Sequence, residues 1–80
     1  MFINKTADGL NNLCGKNIAA LRMKMGISQR ALADKMQLVG LDIDKNAGPR
    51  IECGKRFVPD IELSAFARVF EITVDTLLVP

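Results

Sequence analysis

Apolar residues recur at helical spacing along most of the chain and predict a series of short helices. From Lys16 to Met25 the apolar side chains fall at i, i+3 and i+7 on one face, and Gly26 follows as a helix stop. Ser28 is then a fresh N-cap for a second helix, which we expect to end at about Gln37. The apolar residues at helical spacing on these two helices are Ile18, Leu21, Met25, Leu32, Ala33 and Met36.

The last third of the chain has the same periodicity. We expect Asp60, which follows Pro59, to cap a fourth helix, and Thr73 to cap a short fifth helix. The apolar residues at helical spacing here are Leu63, Phe66, Ala67, Phe70, Val74, Leu77 and Leu78. Because apolar stripes of this kind form cores far more often than binding platforms, we assign the aromatic residues among them, together with Phe57, to the core.

The first fourteen residues have no clear period. They contain Asp8-Gly9 and Asn11-Asn12, which indicate a turn or a loose arm before the first helix. We therefore divide the chain into an amino-terminal arm, residues 1–14, and a single all-helical domain, residues 15–80. A core of this size is marginal, so dimerisation would help to stabilise it.

The connection after the second helix decides where a third helix begins. Gly40 can adopt the positive φ of a turn, and Ile43 can fix that turn to the core. Asp44 can cap the following helix by accepting hydrogen bonds from its first N–H groups. This pattern predicts a third helix that begins at Lys45.

Gly48-Pro49 opposes such a helix. A proline inside a helix removes one backbone hydrogen bond and clashes with the preceding turn, at a cost of roughly 3 kcal/mol, and a glycine adds up to ~1 kcal/mol. Two outcomes stay open: the helix is kinked, or it begins only at Pro49, since proline suits the first helical position.

Composition places the chain among ordinary globular domains, with 49% hydrophobic and 25% charged residues in 80. We expect no membrane partner, because no apolar run approaches the roughly 18 residues that span a bilayer, and no basic and apolar leader indicates secretion. Cys14 and Cys53 are the only cysteines and form no CxxC pair. This usage is typical of a reduced, cytoplasmic protein.

The positive charge is concentrated in the first part of the chain. Residues 1–57 hold ten Lys or Arg against five Asp or Glu, a net charge of +5. Residues 58–80 hold one Arg against four acidic residues, a net charge of −3, which gives the total of +2. This asymmetry favours a phosphate-binding surface on the first part, although many proteins that bind no nucleic acid share it.

The chain lacks the residues that common catalytic and metal sites need. It has no His, so a Ser-His or Cys-His nucleophile cannot form, and two distant cysteines cannot make a zinc site. The spacing of Asp42, Asp44 and Asn46 resembles a calcium loop, but Ala47 and Cys53 stand where glycine and glutamate are required. A phosphate-loop pattern fails by one residue in its glycine spacing. We expect no enzyme, cofactor, metal ion or small-molecule ligand.

Two motifs stand in a fixed order: residues 26–36 have the sequence GISQRALADKM, and residues 50–56 have the sequence RIECGKR. They resemble the Cro/CI repressor family, also called XRE, in which "xSQxxLAxxM/L" precedes a turn, a recognition helix and "xIExGKR". The resemblance extends from about Gly15 to Leu78. It implies an all-α, lambda-repressor-like domain of about five short helices with a helix-turn-helix that binds double-stranded DNA. The connection between the motif helices is about five residues longer than the family's usual turn.

The resemblance also implies roles for individual residues. Base-reading positions at the start of the recognition helix fall on Lys45, Asn46 and Arg50. Asn can bond adenine bidentately, and Lys or Arg can bond guanine, so the residue types suit this task. The alternative is that all three are ordinary solvated residues, since motif spacing alone does not show which surface they face.

Other matching positions contact phosphate or hold the fold together. Those that match phosphate-contacting positions are Ser28, Gln29, Lys55 and Arg56. Arg22 and Glu52 match an internal salt bridge that joins the first helix to the end of the third.

Together these features predict a DNA-binding transcription regulator, a repressor that binds an inverted-repeat operator as a homodimer. The carboxy-terminal helix, which ends in Leu77-Leu78-Val79, is the predicted dimer surface. The alternative is a protein-interaction helix-turn-helix module, antitoxin-like or a scaffold, whose DNA surface has decayed. Gly48-Pro49 is its main support.

Overall fold

The computed structural model describes residue 6 and residues 9–44 and 46–79. These residues form five α-helices and no strand: α1 (Gly15–Met25), α2 (Gln29–Leu38), α3 (Ala47–Glu52), α4 (Asp60–Phe70) and α5 (Val74–Leu78). The prediction of an all-α fold with about five short helices is confirmed. None of the helices within the described ranges is long and apolar enough to cross a membrane.

Local capping signals set three helix ends where the sequence predicts them. Gly26 ends α1 with a left-handed φ of 70°, and its N–H donates to the carbonyl oxygens of the last turn. The Ser28 hydroxyl begins α2 by accepting a hydrogen bond from the Ala31 N–H at 3.0 Å. Thr73 caps α5 in the same way. The stop at Gly26 and the start at Ser28 produce the short turn between α1 and α2.

One large apolar side chain from each helix is almost completely buried. They are Ile18, Met36, Ile51, Phe66 and Leu77, each at most 1% exposed. Full burial of a side chain of this size contributes about 1.5–3 kcal/mol. Helices as short as α3 and α5 are unstable in isolation, so these anchors in the common core hold them in place.

Cys14 completes this core at the start of α1, where it is 1% exposed. Burial raises the pKa of its thiol to about 11, so it remains protonated at neutral pH. Cys14 therefore acts as a small apolar core residue.

Two predicted core positions are wrong. Phe57 is 62% exposed, and Met25 is 43% exposed. Phe57 lies in the loop between α3 and α4, where helical spacing does not apply, and the adjacent Val58 enters the core instead. Met25 is the last residue of α1, beyond the part of the helix that the other elements cover.

The predicted dimer surface on α5 stays a prediction, and one of its residues lies inside the protein. Leu77 is completely buried, because it is the anchor that fixes α5 to the core, while Leu78 is half-buried and Val79 is exposed. Leu77 is therefore inaccessible to a partner.

The prediction that Asp60 caps α4 is wrong by one residue. Pro59 is the N-cap, with an extended ψ of 165°, and Asp60 is the first helical residue. There its carboxylate lies in the first turn, where the helix dipole favours negative charge.

The start of α3 differs from both predicted outcomes. Asp44 does not cap a helix that begins at Lys45; its carboxylate accepts from the Asn46 N–H at 3.0 Å, its carbonyl accepts from the Ala47 N–H at 2.8 Å, and the helix begins at Ala47. Pro49 is then the third helical residue, where an N–H would have no partner within the helix in any case. The proline therefore costs α3 no hydrogen bond, and its carbonyl accepts from the Cys53 N–H at 3.1 Å.

Candidate nucleic-acid interface

The second helix of the motif, α3, packs against the first helix, α2. Residues 39–46 connect the two helices. Gly40 makes the turn with a φ of 97°, and the Leu41 N–H donates to the Met36 carbonyl at 3.1 Å. At the start of α3, a Cβ on Gly48 would lie 3.9 Å from the Cβ of Gln29. The long connection thus returns the chain so that α3 begins beside the start of α2.

An ion pair fixes the other end of α3 to α1. Arg22 Nε lies 2.7 Å from Glu52 Oε2, and Nη2 lies 3.0 Å from Oε1, so the contact is bidentate. This hydrogen bond raises the pKa of Arg22 above its ordinary value. Arg22 Nη1 also donates to the Ile27 carbonyl at 2.9 Å, which ties the turn after α1 to the same group. The structure thus pairs the two residues that the resemblance assigns to a salt bridge.

Gln29, predicted to contact phosphate, joins this network. Its Nε2 donates to Glu52 Oε1 at 3.2 Å, and its side chain is half-buried. The side chain therefore bridges the start of α2 to the end of α3 in the structure.

The predicted base-reading residues that the structure describes lie together on an open side of α3. Asn46 and Arg50 are both exposed, one turn apart, whereas Ala47 and Ile51 point into the core. Asn46 and Arg50 line a shallow cavity of about 130 Å³. Lys45, the third predicted base-reading residue, lies outside the described residues.

The residues predicted to bind phosphate differ in what else they do. Ser28 is exposed; its hydroxyl accepts from the Ala31 N–H and keeps its own proton free to donate. Lys55 is exposed and forms no ion pair with the described residues.

Arg56 has an intramolecular partner that the sequence does not reveal. Its Nη2 donates to Glu62 Oε2 at 2.9 Å, and its Nη1 donates to the other carboxylate oxygen. Glu62 is 9% exposed on α4, and its hydrogen bonds raise the pKa of Arg56. No periodic pattern joins a loop cation to an acid six residues later. Arg56 therefore neutralises a buried carboxylate while still lining the same shallow cavity as Arg50.

The segment before α1 is not the loose arm that the sequence predicts, at least from Asn11 onward. Asn11 and Asn12 donate hydrogen bonds to carbonyl oxygens at the end of α3 and in the loop after it. At Gly15, a side chain would overlap the Ile51 carbonyl oxygen, so α1 begins in close contact with the end of α3. The motif pattern does not include these residues.

Comparison with known proteins supports the fold. No protein-family model matches the chain, and no curated protein sequence matches it. Among solved structures, the chain is similar to the restriction-modification controller protein C.AhdI from Aeromonas hydrophila. The two are 25% identical, the match covers 79% of this chain and 88% of that chain, and the TM-score is 0.68. The resemblance carried by the two motifs is thereby confirmed, and the chain has the all-helical, Cro/CI-type helix-turn-helix fold.

Proposed function

We propose that this protein binds double-stranded DNA in a sequence-specific manner and regulates transcription. The observation that carries the proposal is the orientation of α3: Asn46 and Arg50 are exposed on one side, while Ile51 is completely buried on the other. Helix-turn-helix proteins read DNA with residues at the start of the second motif helix, which lies in the major groove. The likeness to a restriction-modification controller protein supports a regulatory role.

The side chains at this surface suit both kinds of DNA contact. Arg50 can donate two hydrogen bonds to guanine O6 and N7, and Asn46 can bond adenine N6 and N7. Each such pair contributes about 1–3 kcal/mol of discrimination against the wrong base. Ser28 and Lys55 are exposed and can bind backbone phosphates, which would orient the helix without reading sequence.

A homodimer that represses from an inverted repeat is part of the proposal. With six residues, α3 can read only a few base pairs, so useful specificity requires two copies on two half-sites. Leu77 is buried, so the exposed Val79 and the half-buried Leu78 are the residues at the end of α5 that such a dimer could use.

We further propose that the protein is a non-enzymatic regulator of the cytoplasm. Its two thiols, Cys14 and Cys53, form no disulfide, and a reducing compartment would keep them so. Under this proposal, binding involves no cofactor or metal ion.

The interaction-module alternative depended on Gly48-Pro49. Since Pro49 lies in the first turn of α3, its missing N–H breaks no helical hydrogen bond. The physical objection to a usable recognition helix is therefore removed, and we favour DNA binding.

Selection of binding sites from a random duplex library, read by sequencing, tests this function. We expect an inverted repeat whose half-sites contain base pairs that suit Arg50 and Asn46. The half-site spacing would report the placement of the two copies of α3 in the dimer. A folded protein that enriches no sequence would contradict the proposal.

The salt dependence of affinity supplies a second test that does not depend on finding the operator. Lys55→Ala should make the negative slope of log affinity against log salt shallower by about one, because one phosphate contact is lost. Lys24→Ala, which changes an exposed α1 lysine outside the predicted contacts, is the matched control and should leave the slope unchanged. A slope near zero in the unmodified protein would favour an apolar partner over DNA.

A further inference from the structure

The segment that precedes α1 is hydrogen-bonded to the loop that follows α3. The Asn11 N–H donates to the Gly54 carbonyl at 2.7 Å, and its side-chain amide donates to the Lys55 carbonyl at 2.7 Å. The Asn12 side-chain amide donates to the carbonyl of Ile51 at 3.1 Å and to that of Arg56 at 2.8 Å. We call Asn11 and Asn12 the asparagine pair. Together they bind four backbone carbonyls between Ile51 and Arg56, at the end of α3 and in the loop after it.

The Asn12 side chain is itself fixed on α1. Its Oδ1 accepts from the Gly15 N–H at 2.8 Å, at the first residue of the helix. An asparagine amide has two N–H donors and one carbonyl acceptor, and Asn12 uses all three groups. Its side chain therefore cannot rotate without losing contacts to α1, α3 and the loop together.

Leu10 adds an apolar cover to the same loop. Gly54 is buried with a φ of 83°, a left-handed conformation that favours glycine. A Cβ at this position would lie 2.8 Å from Leu10 Cδ2, so Leu10 packs directly on the turn. The amino-terminal segment thus covers one side of the loop.

A second attachment of the loop is the bidentate contact between Arg56 and Glu62 of α4. Lys55 precedes Arg56 in the chain. Its N–H donates to the Arg50 carbonyl at 2.9 Å, and its carbonyl accepts from Asn11. The Lys55 backbone is therefore held at both its N–H and its carbonyl oxygen, while its side chain is exposed to solvent.

We propose that the asparagine pair positions Lys55 for phosphate binding without contacting DNA itself. The inference rests on the proposed function, which supplies the phosphate. With the pair intact, the loop is ordered before DNA arrives, and no ordering cost is added on binding. Without the pair, binding to DNA must also order the loop, so the contact between Lys55 and phosphate weakens and affinity falls. The amino-terminal segment is then a positioning element of the DNA surface.

A double-mutant cycle with Lys55 tests the proposal. We would measure the affinity of Asn12→Ala, Lys55→Ala and the double variant for a mixed-sequence duplex over a range of salt. We expect Asn12→Ala to weaken binding by roughly tenfold and to lower the salt slope by about one, as Lys55→Ala does. In the Lys55→Ala background, the same asparagine change should alter affinity less than about twofold, since the group it positions is gone.

Asn17 supplies a matched control within the same chain. Its amide also donates to two backbone carbonyls, those of Leu77 at 2.7 Å and Val79 at 2.6 Å, but these belong to the α5 end of the molecule. Asn17→Ala should lower the free energy of unfolding by an amount similar to Asn12→Ala and leave affinity and salt slope unchanged. A merely structural role of Asn12 would make the two variants behave alike.

Three outcomes would overturn the inference. One is an equal loss of affinity from Asn12→Ala with and without Lys55, and another is an unchanged salt slope. The third is a loss of affinity that is fully explained by the fraction of unfolded protein measured by circular dichroism. If Asn12→Ala does not fold, Asn11→Ala, which removes only one exposed side-chain hydrogen bond, decides the cycle by the same criteria. Failure of the proposed function is distinguishable, because the unmodified protein would then show no salt-dependent binding at all.

Discussion

The two ends of α3 are held in opposite ways. At its start, Asn46 makes no side-chain cap hydrogen bond, and a Cβ on Gly48 would meet nothing closer than the Gln29 Cβ at 3.9 Å. At its end, Ile51 is completely buried, and Glu52 accepts hydrogen bonds from Arg22 and Gln29. The start, which we call the free end, is held by the buried Ala47 and by hydrogen bonds to Asp44. The other end, which we call the rigid end, has the ion pair with Arg22 as well.

This difference teaches how a six-residue helix can present side chains accurately. Such a helix is far shorter than the roughly 12 residues that give marginal stability in water, so its own hydrogen bonds do not hold it. The rigid end supplies the position, the free end leaves Asn46 accessible, and Arg50 is exposed on the same side of the helix. A recognition helix requires both properties.

Gly15→Ala should have the largest effect on stability, because it disrupts the contact between α1 and the rigid end of α3. The new methyl group would overlap the Ile51 carbonyl oxygen, a backbone atom that cannot move without shifting α3. We expect the free energy of unfolding in urea to fall by about 3 kcal/mol. A stable Gly15→Ala protein would mean that the contact between α1 and the end of α3 is loose.

Glu52→Gln weakens the rigid end by removing one charge of the Arg22 ion pair. The pair is partly exposed, with 17% of the Arg22 side chain and 9% of the Glu52 side chain accessible. Because breaking a partly exposed pair costs less than breaking a fully buried one, we expect a loss of about 2 kcal/mol in the free energy of unfolding. Asp34→Asn, at an exposed acid of α2, is the control and should change stability by less than ~0.5 kcal/mol. Equal effects in the two variants would contradict the assignment of Glu52 to the scaffold.

Arg50→Ala tests the exposed side of α3 through binding. Loss of a bidentate contact to guanine should cost roughly 1–3 kcal/mol on the preferred duplex and relax the preference at one base position of each half-site. The free energy of unfolding should change little, since the side chain is exposed. Binding measured against duplexes with each base at that position would check this, and an unchanged preference would contradict it.

Gly48→Ala is the matched glycine substitution at the free end and has the smallest expected effect. An alanine methyl here meets nothing closer than 3.9 Å, and the helical interior favours alanine over glycine. We expect a gain of about 0.5–1 kcal/mol in the free energy of unfolding. A loss as large as that of Gly15→Ala would remove the contrast between the two ends.

The sequence predicted the parts of this fold that depend on neighbouring residues. Gly26, Ser28 and Thr73 act within one turn of their helix ends, so their positions alone indicate the boundaries. The role of Asp44 was harder to predict, because the same carboxylate can cap a helix or close the turn before it. In the structure it closes the turn.

The remaining features depend on contacts between distant residues. The hydrogen bonds of Asn12 to Ile51 and Arg56 join residues about forty positions apart, and no periodicity reports them. The exposure of Phe57 and the burial of Glu62 likewise follow from how the loop after α3 meets α4. The motif resemblance indicated which residues surround the candidate interface, but not which of them already have partners inside the protein.

The most direct test of the account is to map the amide nitrogen and proton chemical shifts as a selected duplex is added. We predict the largest changes at the start of α2, at Asn46 and Arg50, and at Lys55, with little change along α5. Changes confined to the exposed apolar residues Phe57 and Ile61, or no changes in a folded protein, would contradict the claim that the exposed side of α3, with Asn46 and Arg50, meets DNA.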